Sequence, residues 1–578
     1  MDKSGEISLE SSLSGFCLLN KDVLFVKNHG ILMRNDEDYL RHPKRVMLIS
    51  GGGAGHEPGH QGFVGRGMLS AAVSGNVFTS PSVTSVLASI LLAANERREI
   101  LLIINNYTGD RLNFGLAVEM ARNVHNYGNV KLLIVDDDCS IDNPRQSTGR
   151  RGLAGCTLVH KIAGAMSASG SSLDEIHGLC SGLLAKQFIR TIGFSFEHTK
   201  SNELTNIEIG YGIHGEPGSI RLPTEKNFSP VISILAEKLR LWDVETSVVL
   251  LFNNLGGTSE FIFYEFIKEF LELAIELSIK IVRIYAGKFL TSLSKQALSL
   301  TVLEVHDSKL LEYLSFPVET PAGYLFNNHF ELCKPMVKEF QLPKTVKSRS
   351  TNARVTLNEI DTAKAMIEAA CHAVMASKQL LNGIDSELGD GDTGSTLARG
   401  AEALLNDLSE QKISLEDPFV MLSQVSSVLM EQMGGTSGAI FSIFFQCASG
   451  VFALDNRYSV DNWMMAVVTG LEGIMKHGRS SIGDRTLLDA LNSGHKAARS
   501  EGVDADKVLE AFAKGCRAGA EATVSMVPKS GRAAYTVGDN TGKFDLRSKN
   551  PDAGAQAISI IATAIARAFE SSAKASST

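Results

Sequence analysis

The sequence predicts a multidomain protein in which an α/β domain of two lobes is followed by an all-α domain. Three observations carry this expectation. Up to residue 339, apolar runs of strand length repeatedly lead into glycine-rich loops and then into helical spacing. From 340 to 355 the stretch F-Q-L-P-K-T-V-K-S-R-S-T-N-A-R-V loses periodicity and turns basic and polar, as a linker does. From 356 to 578, alanine-rich helical periodicity continues to Ala573, punctuated by glycine loops and without a strand pattern. At 578 residues the chain also exceeds one ordinary core.

The first forty residues carry no clear motif. Arg45 to Ser50 then reads as a buried strand running into Gly51-Gly-Gly-Ala-Gly-His-Glu-Pro-Gly-His60. In open α/β sheets small molecules bind at the carboxyl ends of strands, and this loop lacks the G-K-[ST] of a P-loop, so ATP is not its obvious ligand. His56 is the chemical group there; a structural histidine is the plain alternative. Glu99 to Asn105 repeats the pattern, ending in Asn106-Tyr-Thr-Gly-Asp110 ahead of a helix through Phe114, Leu116, Met120 and Val124, which puts Asp110 on the same sheet edge as His56. A strand from Val130 to Val135 and helices around Leu153 to Ala168 and Leu173 to Ile189 complete this lobe. Asp136-Asp137-Asp138 reads as a solvated turn. In Ile209-Gly-Tyr-Gly-Ile-His-Gly-Glu-Pro-Gly218, Gly212 and Gly215 bracket His214, an uncrowded imidazole that could act as a nucleophile or be incidental to a glycine hairpin. Strands near Ser247 to Phe252, Lys280 to Tyr285 and Ser299 to Val305, with Asn253-Asn-Leu-Gly-Gly257 at a strand end, form the second lobe.

Past the linker the informative stretch is Ile384 to Gly400, I-D-S-E-L-G-D-G-D-T-G-S-T-L-A-R-G. It lies between helical patterns at Leu357 to Lys378 and Ser395 to Leu408. A solvated turn is the commonest fate of such a segment. An EF-hand is excluded, because twelve positions counted from Asp385 or Asp390 end on Thr396 or Ala401 rather than glutamate. Asp385, Asp390 and Asp392 would repel one another unless a hard cation, expected to be Mg²⁺, sits between them. Gly389, Gly391 and Gly394 would let backbone amides approach a phosphate at the start of the next helix. Further glycine loops follow at Met433 to Gly438, where Thr436 and Ser437 offer hydroxyls at a helix start, at Gly478 with Gly483 to Asp489, at Gly531 to Tyr535, and at Asn550 to Ala555. As a set beside the aspartates they point to a nucleoside triphosphate site.

A net charge of -8, a pI near 6.0 and no Lys/Arg cluster give no footprint for nucleic acid. No apolar run is read as long enough to cross a bilayer and the start has no signal-peptide core, so a soluble, cytoplasmic protein is expected, with no membrane partner. The eight cysteines stand scattered without a C-x-x-C, which argues against a zinc site or a disulfide framework and suits a reducing compartment.

The order G-G-G-A-G-H-E-P, N-Y-T-G-D-R-L-N-F-G-L, R-R-G-L-A-G, G-I-H-G-E-P-G, G-D-G-D-T-G-S-T, M-G-G-T-S-G, G-D-R-T-L-L-D-A-L and G-R-A-A-Y closely resembles the ATP-dependent dihydroxyacetone kinases, including the triokinase/FMN cyclase branch, over nearly the whole chain. The resemblance implies a ketone-binding first domain at 1–339, a linker at 340–355, and at 356–578 an eight-helix barrel holding ATP and two Mg²⁺ ions. It implies phosphorylation of dihydroxyacetone and glyceraldehyde in glycerol metabolism and, for metazoan members, splitting of FAD to cyclic FMN. Family relatives that regulate partners add the alternative of a catalytically silent binding protein. His214 would bond covalently to the substrate carbonyl as a hemiaminal, Asp110 would act as general base and His56 as its acid/base partner. Gly53, Ala54, Gly55 and Asn105 would line the pocket with them. Asp385, Asp390 and Asp392 would hold metal; Asp392, Thr393, Gly394, Ser395, Thr436, Ser437, Gly478, Thr486, Leu487, Asp552, Ala553 and Gly554 would hold ATP. Asn105 stands where some members have a substrate-contacting lysine, and Asp552-Ala553-Gly554 replaces a common D-P-G. The fused members form crossed homodimers. A linker of roughly 16 residues, with an r.m.s. span of about 20 to 24 Å, permits pairing within a chain or between chains.

Overall fold

The computed structural model describes residues 8–95, 98–142, 149–199, 203–243, 246–293, 295–332, 356–453, 457–501, 504–530 and 549–576. The chain divides into two compact units, Met1–Val337 and Lys338–Thr578. The expected linker and the Gly531 to Tyr535 loop lie outside the described residues.

The first unit holds two six-stranded sheets. In the first, β1 (Val23–Val26), β2 (Ile31–Arg34), β3 (Met47–Ala54), β4 (Ala71–Val77), β5 (Ile100–Asn105) and β6 (Val130–Val135) lie in the order β1-β2-β4-β3-β5-β6. The last four are parallel, and β1 and β2 form an antiparallel edge. Every residue of β5 is buried, as a parallel strand covered on both faces requires. Helices Val83–Asn95 and Thr108–Asn123 pack with one face of this sheet, while Gly155–Ala168 fills the other. That last helix is buried along nearly its whole length because the second sheet covers its far side: Val249, Leu251, Tyr285 and Leu303 join Leu158, Val159 and Ile162 in one cluster. The second sheet comprises β7 (Ile189–His198), β8 (Leu204–Ile209), β9 (Ile220–Leu222), β10 (Ser247–Asn254), β11 (Ile281–Gly287) and β12 (Ala297–Val305), ordered β11-β10-β12-β7-β8-β9.

Several sequence expectations change here. The β3 strand continues through Gly51, Gly52 and Gly53 instead of stopping at Ser50. Gly51 and Gly53 are needed because a Cβ would stand 2.2 Å from the Val73 carbonyl oxygen and 2.6 Å from the Thr79 amide nitrogen. Strands β1, β2, β4, β7, β8 and β9 add to those read from the sequence, and the helix expected to reach Ile189 ends at Ala185, where β7 is about to begin. The three consecutive aspartates are not a solvated turn. Asp138 is fully buried against Arg151 (2.6 Å), and Asp137 accepts from the amides of Leu153 (2.7 Å) and Gly155 (2.8 Å). Arg151 also donates to the Gly210 carbonyl (2.7 Å), so this buried ion pair braces the loop that carries His214.

Among the described residues the second unit contains only helices and one 3₁₀ turn. The helices are Leu357–Ala376, Lys378–Asp385, Thr393–Ser409, Pro418–Met433, Gly435–Phe452, Val460–Gly478, Leu487–Ala498, Ala505–Ala522 and Ala553–Ser576. Their inner faces enclose an apolar cavity of about 620 Å³. Contrary to the reading that no segment is long and apolar enough to cross a bilayer, Gly435–Phe452 has that length, with a mean hydropathy of 1.3. Its Phe441, Phe445 and Phe452 nevertheless pack into the unit's own core, beside Leu429 and Trp463.

Candidate active site

One cluster of candidate residues forms where the two sheets of the first unit meet. His56 follows β3, Asp110 lies in the first turn of the Thr108–Asn123 helix after β5, and His214 follows β8. Gly55, at φ +102°, turns the chain out of β3 in a conformation only glycine adopts easily, and its amide donates to Glu57. His56 Nδ1 donates to the Thr291 carbonyl at 2.8 Å, which leaves the Nε2 lone pair facing His214 Nε2 at 3.1 Å. His214 Nδ1 lies 3.3 Å from Glu216 Oε1, and the other oxygen of Glu216 accepts the His214 backbone amide at 3.0 Å. Both rings therefore commit Nδ1 to an acceptor, and one proton at most fits between the two Nε2 atoms.

His214 is not uncrowded. Its side chain is 24% exposed, and the rings of Tyr107, His56 and Phe78 lie edge-on with centroids 4.4, 4.7 and 5.5 Å away. Burial lowers the His56 pKa to about 4, so that ring is neutral at physiological pH and able to accept a proton. Burial would raise Glu216, but its hydrogen bonds with His214 outweigh this and hold it at about 2. Burial raises Asp110 to about 6, against a hydrogen bond from Ser80. One oxygen of that carboxylate, Oδ1, makes no hydrogen bond at all. Gly53 and Ala54 end β3 and Gly55 follows them, all beside Phe78, and Asn105 sits buried at the end of β5 with its Oδ1 unpartnered.

Sequence reasoning missed Glu216, Tyr107, Phe78 and Thr291. Glu216 was legible as a carboxylate two residues beyond His214; Thr291 was not, being 235 residues from His56.

A separate cluster belongs to the second unit. Asp385 ends the Lys378–Asp385 helix, and Asp390 and Asp392 lie in the loop before Thr393–Ser409. One oxygen from each carboxylate lies within 4.8 Å of the others, and none of the three residues is fully buried. Asp385 Oδ2 accepts the amides of Asp392 (3.0 Å) and Thr393 (3.2 Å), which folds the loop back onto the helix end. Three converging oxygens beside a helix N-terminus fit a hexacoordinate magnesium that keeps waters and phosphate oxygens as its other ligands. Asn382 takes the Ser395 amide and donates to its hydroxyl oxygen, which leaves Ser395 its O–H proton and one lone pair to offer. Gly394 is buried, with no room for a side chain above the Lys378 carbonyl.

Hydrogen bonds gather the other loops around these aspartates. Arg399 donates to the Met433 carbonyl (2.6 Å), holding the Gly434-Gly435 turn whose positive φ angles start the helix bearing Thr436 and Ser437. Asn550 donates to Glu387 (2.6 Å), and Arg485 donates to the Asn550 carbonyl (3.0 Å). Thr486 caps the Leu487–Ala498 helix in a reciprocal box with Asp489. Gly554 lies against Leu487, and Asp552 accepts the Ala555 amide (2.8 Å) just inside Ala553. Burial raises Asp552 to about 6, and the charges of Asp489 and Asp385 push the same way. Gly478 ends its helix next to Ser480 and is not tied to the cluster by these bonds.

Comparison with known proteins gives a Dak1 domain over residues 14–322 and a DAK2 domain over residues 387–567. The chain is 35% identical to the triokinase/FMN cyclase of Mus musculus, covering 98% of each chain. It is 33% identical to the dihydroxyacetone kinase of Pichia angusta, covering 97% of each. Among solved structures, the dihydroxyacetone kinase from C. freundii in complex with AMP-PNP and Mg²⁺ matches 98% of this chain and 100% of its own, with a TM-score of 0.60 and 28% identity.

Proposed function

This chain belongs to the ATP-dependent dihydroxyacetone kinase family and is a kinase, and from that premise we propose that it transfers the γ-phosphoryl group of ATP to dihydroxyacetone and to glyceraldehyde. The observation that carries this reading is the pair of imidazoles whose Nε2 atoms stand 3.1 Å apart beside the Asp110 carboxylate. His214 Nε2 adds to the substrate carbonyl carbon. As the N–C bond forms, the π pair moves to oxygen, which takes a proton from solvent while the Nδ1 proton of His214 passes by way of Glu216 to solvent; the product is a neutral hemiaminal with no change of redox state, and its hydroxyl donates to the lone pair of His56 Nε2. Glycerol has no carbonyl to trap, so selectivity follows from bonding. Asp110, its unpartnered oxygen free to accept, takes the proton of the attacking hydroxyl as oxygen bonds to the γ-phosphorus and the bond to ADP breaks. Glu216 orients the His214 ring, and Gly53, Ala54, Gly55 and Asn105 bound the pocket.

In the second domain, read as 356–578 and as the family's eight-helix barrel, Asp385, Asp390 and Asp392 would hold two Mg²⁺ ions, whose positive charge would offset the negative charge that builds up in transfer. Asp392, Thr393, Gly394, Ser395, Thr436, Ser437, Thr486, Leu487, Asp552, Ala553 and Gly554 would cradle the nucleotide, with Gly478 at its margin. The working unit is a homodimer pairing the first domain of one chain with the second of the other. Cleavage of FAD to cyclic FMN at the same aspartates is a second reading, favoured by the name of the Mus musculus relative; a flavin product formed without any triose would mark it. A silent regulatory role is disfavoured by the intact His214, Asp110 and aspartates.

The test is purified protein with Mg-ATP and either dihydroxyacetone or glycerol, following ADP. ADP released with dihydroxyacetone and not with glycerol is expected. Equal release with glycerol would overturn carbonyl trapping, and none with either triose would overturn the kinase reading.

A further inference from the structure

We propose that His60, Cys156 and His160 form a closed, structural binding site for one zinc ion inside the first unit, separate from the magnesium site. Cys156 and His160 stand four residues apart on the Gly155–Ala168 helix and so share a face, while His60 precedes the 3₁₀ turn Gln61–Phe63. One donor atom from each lies within 4.8 Å of the others. All three are interior: His60 is 8% exposed, Cys156 and His160 not at all.

The second observation is what these donors lack. Neither ring nitrogen of His160 has a hydrogen-bond partner, and neither does His60 Nδ1. The two rings meet edge to face with centroids 5.2 Å apart instead of bonding through nitrogen. Native proteins almost always satisfy such buried polar atoms, and a cation would take up one lone pair from each ring. Asn105 borders the site, hydrogen-bonded to the Cys156 thiol.

The chemistry of the donors selects the ion. Two imidazoles and a sulfur suit zinc and are poor ligands for magnesium or calcium. Binding would exchange the Cys156 S–H for an S–Zn bond and release one proton to solvent. Zinc bond lengths of about 2.0 to 2.3 Å place tetrahedral donors roughly 3.5 Å apart, so the group closes by up to about an ångström on loading. With no exposed donor, the ion would enter during folding. Once there it would pin the loop that carries His56 to the helix packed between the two sheets. The sequence hid this site because its donors come from two distant segments and no C-x-x-C marks it.

The test uses the full chain produced in medium supplied with zinc or, as a spectroscopic stand-in, with cobalt. The expected result is about one zinc per folded chain by elemental analysis and, in the cobalt form, a thiolate-to-cobalt charge-transfer band. Cys156→Ala should lose both while keeping its circular dichroism. Folded wild-type protein that carries neither zinc nor the cobalt band overturns the proposal whether or not the variant folds, and so does a variant that keeps both.

Discussion

Replacing Asp110 by asparagine should sharply slow phosphoryl transfer and, at the same time, stabilise the first unit. The folded structure raises this carboxyl from 3.8 to about 6, with burial as the main cause. The fold thus disfavours its charged form. Stability contributed by the protonated group is complete below pH 3.8, falls as pH rises through the window from 3.8 to about 6, and is fully lost above it. A shift of about 2 units at 1.36 kcal/mol per unit amounts to about 3 kcal/mol at neutral pH. Asparagine has the same shape and no charge to desolvate, so Asp110→Asn should gain up to about 3 kcal/mol at pH 7.5 and roughly half of that at pH 5. The assay is reversible urea unfolding of wild type and variant at both pH values, followed by circular dichroism. The variant's kcat/KM should fall by about 10² to 10⁴-fold, the usual contribution of a positioned base. A variant no more stable than wild type at pH 7.5, or a gain that does not shrink at pH 5, would refute the assignment of a strained, buried carboxylate.

The pH profile of wild-type kcat/KM should rise about tenfold per unit up to about pH 6 and then level off, as expected if Asp110 must be deprotonated; a flat profile from pH 5 to 7 would count against it. Glu216→Gln should lower kcat/KM for dihydroxyacetone by about 10²-fold while leaving ATP affinity, measured by calorimetry, unchanged, because it disturbs only the ring that bonds substrate. Asp390→Ala should abolish ADP formation and any flavin cleavage together; kinase activity near wild type would remove it from the metal site. Mixing His214→Ala with Asp390→Ala under subunit exchange should restore activity in a crossed dimer, whereas a mixed dimer shown by mass to exist and still inactive would mean that each chain uses its own two domains.

What the sequence made legible was local. His56, His214 and the three aspartates announce themselves because glycine loops at the ends of strands and helices are short-range patterns. Element types followed where periodicity was strong, as in β5 and β10, and failed where residues were small: β4 reads A-A-V-S-G-N-V, which carries little apolar alternation. Partners supplied by topology stayed hidden. Thr291 reaches His56, and Asp137 finds the amides of Leu153 and Gly155, only after the sheets have assembled. Three consecutive aspartates look solvated until a later turn and Arg151 arrive to bury them.

The claim on which the proposed mechanism depends is that the ketone carbon bonds to His214. Dihydroxyacetone labelled with ¹³C at its carbonyl, added to the full-length protein without ATP, tests it by NMR. The account predicts that the carbonyl resonance gives way to a bound signal in the region of tetrahedral carbon, and that His214→Ala leaves the ketone signal intact. A substrate that binds wild-type protein and keeps its trigonal carbonyl signal would contradict it.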